Sequence, residues 1–301
     1  MGLVFFGNER LANSVDESGV IFSTLLDAGY EISHLVINRA DIQGRKKNHE
    51  DAVVRLAHAN GVNVIDTWNE DHIIALAQES EAGILASFGR ILKDPVINAF
   101  SKGIINIHPS LLPEYRGPTP IESAILGNND KTGVSLMALA SVMDGGAVYS
   151  QAEYTMRGDE TKQELYDILA EKSAQLLIEQ LPDILSGKNK GQAQNDHLAT
   201  FTKLIIKSDG EVDWDLPATT IERQIRAFAG WPGSKALIGG YDVTITQARV
   251  SDDVHGKPGT YDVINKEIAM SCGVGSLTIE KLKPAGRGEM TSEAFLAGHD
   301  I

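Results

Sequence analysis

The sequence predicts an α/β protein in two parts. An N-terminal domain is built on a parallel sheet covered by helices, and a smaller C-terminal domain is a β-barrel. Three observations carry this. Short, continuous apolar runs alternate with helix-period segments through the first half of the chain. A long periodic segment closes that half, and a polar Gly/Asn/Gln-rich stretch follows it. Beyond Lys207 short strand-like pieces are separated by Gly-rich turns.

The first six residues are apolar apart from Gly2 and predict a buried strand ending at Gly7. Ser14 to Ala28 has mixed helical character. Ile32 to Ile37 predicts a second buried strand, and Asn38 to Asn48 is polar. Glu50 to Ala59 carries apolar residues at helical spacing, Val62 to Ile65 predicts a strand and Asp71 to Gln78 a helix. Gly83 to Ser87 and Ile104 to His108 predict two further strands. Units of about 30 residues in this alternation, with β-branched strands, suit a sheet buried on both faces.

Thr161 to Leu181 places Leu165, Ile168, Leu169, Leu176, Leu177 and Leu181 on one apolar face and predicts a helix ending at Pro182. Ser186 to Asp196 reads as a linker. Thr219 to Phe228 predicts a short helix, followed by strand-like pieces at Tyr241–Thr246, Gly259–Val263, Ile268–Cys272 and Ser276–Leu282. The expected domains are residues 1–188, a linker at 189–206, and residues 207–301.

Composition removes several function classes. The hydrophobic share is 42% and the charged share 23%, as in soluble globular proteins. No apolar run approaches the roughly 18 residues that a membrane span needs. The N-terminal residues lack a basic lead, and Phe6 stands where a myristoylation pattern needs Ser or Thr. A single cysteine, Cys272, allows no internal disulfide and no thiolate metal cluster. A cytoplasmic protein without membrane partners is expected, with a monomer as the simplest assembly. The net charge of −14 argues against general nucleic-acid binding. Residues 1–206 carry 17 basic and 27 acidic side chains and the remainder 10 and 14, so any RNA contact must come from short segments.

The chemistry concentrates in Gly103-Ile-Ile-Asn106-Ile-His108-Pro-Ser-Leu-Leu-Pro113-Glu-Tyr-Arg116-Gly117-Pro-Thr-Pro120. Asn106 and His108 are two apart on a strand, so their side chains share a face. Pro109 ends the strand and leaves both at its carboxyl edge, where open α/β sheets bind ligands. An amide can donate to a developing oxyanion, and an imidazole can donate or shuttle a proton. Asp144, in Met143-Asp-Gly-Gly146, is a third candidate, with two glycines that permit close backbone approach. Asn-x-His alone more often satisfies backbone groups at a strand end, and Asp-Gly-Gly is more often a turn. His34, His49, His58, His72, His197, His255 and His299 show no metal-ligand spacing, and no Gly-rich nucleotide loop follows a strand. Ser110 lacks the flanking glycines of a nucleophile elbow. From the residues alone the reading stops at an α/β enzyme with a polar cluster at Asn106 and His108.

Asn106-Ile-His108-Pro-Ser-Leu-Leu-Pro113 with Arg116-Gly117 resembles the signature of 10-formyltetrahydrofolate-dependent formyltransferases. Met143-Asp144-Gly-Gly-Ala-Val-Tyr-Ser-Gln151 resembles that family's aspartate segment, and Ala86-Ser-Phe-Gly-Arg90-Ile-Leu92 its pterin-pocket loop. The resemblance implies a Rossmann-like first domain and Asn106, His108 and Asp144 as the catalytic set. It implies Phe88, Gly89, Arg90, Ile91, Leu92, Ser110, Leu111, Leu112, Pro113 and Met143 around the donor, 10-formyltetrahydrofolate, with no metal.

Asp213-Trp-Asp, Ile221 to Gly233 with Trp231-Pro-Gly, and Lys283 to Gly298 resemble the C-terminal domain of the methionyl-tRNA formyltransferases. This implies an OB-like barrel, methionyl initiator tRNA as partner, and formylation of its α-amino group. Arg39-Ala-Asp-Ile-Gln-Gly-Arg45-Lys46-Lys47 sits where those enzymes carry a basic acceptor-stem loop, so Arg39, Arg45, Lys46 and Lys47 are the expected tRNA contacts. The alternatives are a formyltransferase acting on an amino sugar nucleotide, a hydrolase releasing formate from the same folate, and a non-catalytic RNA-binding protein.

Overall fold

A computed structural model gives the structure of the protein and describes residues 2–7, 19–38, 52–254 and 256–299. The chain forms two compact units. The first comprises Met1–Pro120, Lys131–Thr155 and Glu164–Thr202, and the second Ile121–Asp130, Met156–Gln163 and Lys203–Ile301.

The first unit is built on a seven-stranded sheet. Its strands are β1 (Leu3–Gly7), β2 (Ile32–Val36), β3 (Asn63–Ile65), β4 (Gly83–Ala86), β5 (Ile104–His108), β6 (Lys131–Ala138) and β7 (Val148–Thr155), in the order β3-β2-β1-β4-β5-β6-β7. Strands β1 to β5 are mutually parallel, as the alternating pattern predicts. The sheet as a whole is mixed, because β6 and β7 extend it antiparallel past β5. Strand β7 alternates intermediate and exposed positions, so it offers no continuous apolar run to the eye.

The helices are α1 (Val20–Asp27), α2 (Ala52–Ala59), α3 (Glu70–Glu79), α4 (Asp94–Ile97), α5 (Pro120–Leu126) and α6 (Lys162–Leu185). Asn69 caps α3 by accepting from the His72 amide at 3.0 Å, and Glu70 and Asp71 complement the positive end of the helix. Helix α6 runs through Pro182 rather than ending there. A proline in a helix removes one hydrogen bond at a cost of about 3 kcal/mol. Continuing the helix buries Ile184 beside the fully buried Leu181, and each such side chain contributes about 1.5–3 kcal/mol. The Ser186 amide then closes the last turn on the Pro182 carbonyl at 3.0 Å.

One core cluster bears directly on the site. Phe6, Phe88, Phe100, Ile73, Leu92, Val96 and Ile104 pack together, with Trp68 against them. The Phe6 and Phe88 rings meet edge-on at 5.4 Å, and the Trp68 and Phe88 rings lie 6.0 Å apart. The loop after β4 is therefore anchored by its own aromatic side chain.

The second unit is built on six antiparallel strands: β8 (Ser234–Ile238), β9 (Tyr241–Ser251), β10 (Tyr261–Ile264), β11 (Glu267–Ser271), β12 (Ser276–Pro284) and β13 (Met290–Thr291). Their order is β10-β11-β12-β9-β8, with β13 on β12. The register between β9 and β12 slips around Lys281, which bends the sheet. Helices α7 (Ala218–Ala227) and α8 (Ser292–Gly298) supply Ile221, Ile225 and Phe295 to its core. Cys272 lies in the same core, where burial pushes its thiol pKa up to about 11. Trp231-Pro-Gly forms a turn closed by the Gly233 amide on the Phe228 carbonyl at 3.0 Å, with the indole about half exposed.

Candidate active site

Strand β5 is buried along its whole length and pairs with β4 on one side and β6 on the other. Asn106 stands between Leu85 and Met137, and His108 lies opposite Ser135. The pleat turns both polar side chains to one face, and both are buried. Asp144 reaches them from the excursion between β6 and β7. The Asn106 amide lies 3.5 Å from Asp144 Oδ1, and His108 Nδ1 lies 3.7 Å from Asp144 Oδ2. The three predicted residues thus converge from two elements 38 positions apart. Both separations exceed a closed hydrogen bond, as is common for reactive groups before substrate tightens the site.

Two backbone groups complete the cluster. His108 Nε2 lies 2.9 Å from the Tyr115 carbonyl, an obligate acceptor, so Nε2 carries a proton. In the neutral ring Nδ1 is then the free lone pair, on the side of Asp144. The Gly117 amide donates to Asp144 Oδ2 at 2.8 Å and fixes the carboxylate's orientation. Asp144 itself adopts a left-handed backbone, with φ 45°.

The glycines after Asp144 serve the protein's own packing. A Cβ on Gly146 would stand 1.8 Å from the Ala138 carbonyl oxygen, and one on Gly145 would stand 2.7 Å from Val142 Cγ1. The sequence pattern suggested close approach to a ligand, whereas the crowding comes from the neighbouring strand end.

The residues expected around the donor separate into packed and open sets. Phe88 and Leu92 belong to the core cluster. Gly89 has φ 73° and Ile91 is 86% exposed, while the Arg90 guanidinium lies 5.0 Å from the Trp68 ring centre. Ser110 is fully buried and donates to the Glu114 carbonyl at 2.6 Å, which commits its hydroxyl to the loop. Leu111 and Pro113 are half-buried, Leu112 is buried and Met143 is exposed. Ser135 holds this loop from below: it donates to the Ser110 carbonyl at 2.6 Å and accepts from the Leu112 amide at 3.0 Å. Arg39, Arg45, Lys46 and Lys47 lie outside the described residues.

Sequence reasoning missed Gln194, which stands in the polar stretch after α6 and contacts the carbonyls of Asp144 and Gly146 at 2.8 Å each. Nothing in its local pattern distinguishes it from the neighbouring glutamines and asparagines. Arg116 and Gly117 were visible as part of the motif, but their partners were not.

Residues 14–181 match the formyl transferase family model, and residues 204–300 match the formyl transferase C-terminal domain model. The chain belongs to the formyl transferase family. This formyltransferase is 34% identical to a methionyl-tRNA formyltransferase of Chloroflexus aurantiacus, over 99% of this chain and 97% of that protein. It is 31% identical to one from Nitrosospira multiformis, over 100% of this chain and 97% of that one. Among solved structures, an N-formyltransferase from Helicobacter canadensis in complex with folinic acid and dTDP-3-aminofucose superposes with a TM-score of 0.70 at 19% identity. That match covers 93% of this chain and 98% of that one. HypX from Aquifex aeolicus in complex with tetrahydrofolic acid gives 0.69 at 19% identity, over 98% of this chain and 47% of HypX. The formyltransferase family uses folate-derived donors, and no helix among the described residues is long and apolar enough to cross a membrane.

Proposed function

We propose that this formyltransferase moves the formyl group of 10-formyltetrahydrofolate to the α-amino group of methionyl initiator tRNA. The observation that carries the chemistry is the convergence of Asn106, His108 and Asp144 at the carboxyl end of β5. What favours the tRNA acceptor over an amino sugar nucleotide is the relatives' names: full-length relatives at 31–34% identity are methionyl-tRNA formyltransferases.

The neutral amine attacks the formyl carbon, a carbon–nitrogen bond forms, and the carbonyl electron pair moves to oxygen. Asn106 Nδ2 donates to that oxygen, and one such donor is worth about 3–4 kcal/mol in the transition state. His108 Nδ1, left as the lone pair by the Tyr115 contact, takes the amine proton. The ring becomes an imidazolium with donors on both nitrogens, and the Asp144 carboxylate faces the new charge. The oxygen's electron pair then re-forms the carbonyl as the bond to N10 breaks, the pair of that bond goes to N10, and the proton passes from His108 to the same nitrogen. By residue type alone the His108 imidazole is able either to donate to the oxyanion or to shuttle a proton. The Tyr115 contact favours the proton-transfer role, because Nδ1 can donate only after the ring has gained a proton.

The donor site is proposed to lie along Phe88 to Leu92, Ser110 to Pro113 and Met143. Within it Phe88, Leu92 and Ser110 shape the backbone, while Ile91 and Met143 offer exposed apolar surface. Arg39, Arg45, Lys46 and Lys47 are proposed to contact the acceptor stem, on the strength of their place in the sequence. The reaction is placed in the cytoplasm.

Incubation with formyl-labelled 10-formyltetrahydrofolate and either charged initiator tRNA or an amino sugar nucleotide tests the reading. Label is expected on methionyl-tRNA and not on the sugar. Label on the sugar alone, or release as free formate with either acceptor, overturns it.

A further inference from the structure

The Asp144 loop has an unusual support. Its outer residues, Val142 and Met143, are more than half exposed, so packing does little to hold it from that side. On the inner side one amide nitrogen, Gln194 Nε2, donates to the Asp144 and Gly146 carbonyls, both at 2.8 Å. The other end of that side chain, Gln194 Oε1, accepts from Arg116 Nε at 3.0 Å and Nη2 at 2.8 Å. The orientation is forced, since a guanidinium only donates and a carbonyl only accepts. Arg116 is 2% exposed; its carboxylate partner, Asp196 at 2.7 Å, is 81% exposed and therefore screened.

Arg116 belongs to the same turn that supplies the Tyr115 carbonyl to His108 and the Gly117 amide to Asp144. That turn is laced to the segment carrying Gln194: the Arg116 amide donates to the Thr200 carbonyl at 2.9 Å, and the Thr202 amide to the Arg116 carbonyl at 2.8 Å. One glutamine therefore bridges the two loops that set the carboxylate against the imidazole.

We propose that Gln194 is a positioning residue for Asp144, acting through the Asp144 and Gly146 carbonyls, with Arg116 as its buried anchor. The proposal rests on the formyl-transfer reading of the Asn106, His108 and Asp144 site. Gln194→Glu separates its two halves. The carboxylate keeps, and strengthens, the contact with Arg116, but it turns an oxygen lone pair toward two carbonyls and drives the loop off them. An ångström of misplacement costs up to about a hundredfold in rate.

The test measures steady-state kcat, the KM for the folate donor and Tm for wild type, Gln194→Glu, Asp144→Asn and the double variant, with saturating methionyl initiator tRNA. Gln194→Glu is expected to hold Tm, to keep the folate KM within about threefold, and to lower kcat by about ten- to a hundredfold. In the Asp144→Asn background the same change is expected to cost nothing further, because the group it positions is already disabled. A kcat within about twofold of wild type, or a full additional loss in the double variant, overturns the proposal. Should Gln194→Glu fail to fold, Gln194→Met carries the same comparison between the two backgrounds. Wild-type protein that transfers no formyl group at all overturns the functional reading instead, so the two failures are told apart.

Discussion

The candidate site joins two regions held by different physics. Asn106 and His108 ride on β5, a strand buried on both sides, where the pleat fixes side-chain direction and neighbouring strands fix depth. Asp144 rides on a loop with a left-handed residue, two crowded glycines and an exposed outer edge. Its direction comes from hydrogen bonds contributed by the Gly117 amide and the Gln194 side chain. A strand tolerates the loss of one polar side chain without moving. A loop tuned by a few contacts moves as a unit when one of them fails. The difference teaches where to look for residues that matter without touching substrate: beside the loop, not along the strand.

The largest expected effect breaks the strand half. Asn106→Ala should lower turnover by about a hundred- to a thousandfold while leaving Tm nearly unchanged, since β5 keeps its pairing. Turnover within about tenfold of wild type would remove Asn106 from the chemistry. The loop half should respond to a methyl group placed nowhere near the reacting atoms. Gly146→Ala drives a Cβ into the Ala138 carbonyl and should cost turnover about a hundredfold through displacement of Asp144. Retained activity with an unmoved loop would contradict this.

A third change sharpens the contrast between packing and contact. Phe88→Ala should destabilise the fold by about 3–5 kcal/mol, read as a lower urea midpoint, because its ring lies between Phe6 and Trp68. The folate KM of the fraction that stays folded should move little; a large rise in KM with intact stability would make Phe88 a contact residue. The smallest effect concerns the basic segment. Arg45→Ala with Lys46→Ala should raise the KM for tRNA a few-fold, leave the folate KM alone, and flatten the salt dependence of tRNA binding by about one unit of slope per lost phosphate contact. An unchanged salt slope would exclude both side chains from the interface.

Legibility in the sequence follows the same division. Strands β1 and β4 announce themselves as continuous apolar runs because both faces are buried, and β2 and β5 show enough Ile, Leu and Val around two polar residues each to be read as well. Strand β7 does not, since its exposed positions dilute the signal, and so the antiparallel extension of the sheet went unread. Sequence ends α6 at Pro182 because the rule for proline is local, whereas the burial of Ile184 that carries the helix on to Leu185 is a tertiary gain. Asn106 and His108 were legible as a same-face pair from spacing alone. The approach of Asp144 to them is a long-range fact that only the family resemblance anticipated. Gln194, Tyr115 and Gly117 act through backbone groups or a side chain of a common type, and no residue pattern marks such partners.

The most direct measurement is the single-turnover rate of formyl transfer to methionyl initiator tRNA by Asp144→Asn, followed beside its Tm. Asparagine can still accept from the Gly117 amide but removes the negative charge that faces His108. If the strand pair and the loop carboxylate form one catalytic unit, the rate falls by about a hundredfold or more with Tm held. A rate within about threefold of wild type would contradict it and leave Asp144 a structural residue of the loop.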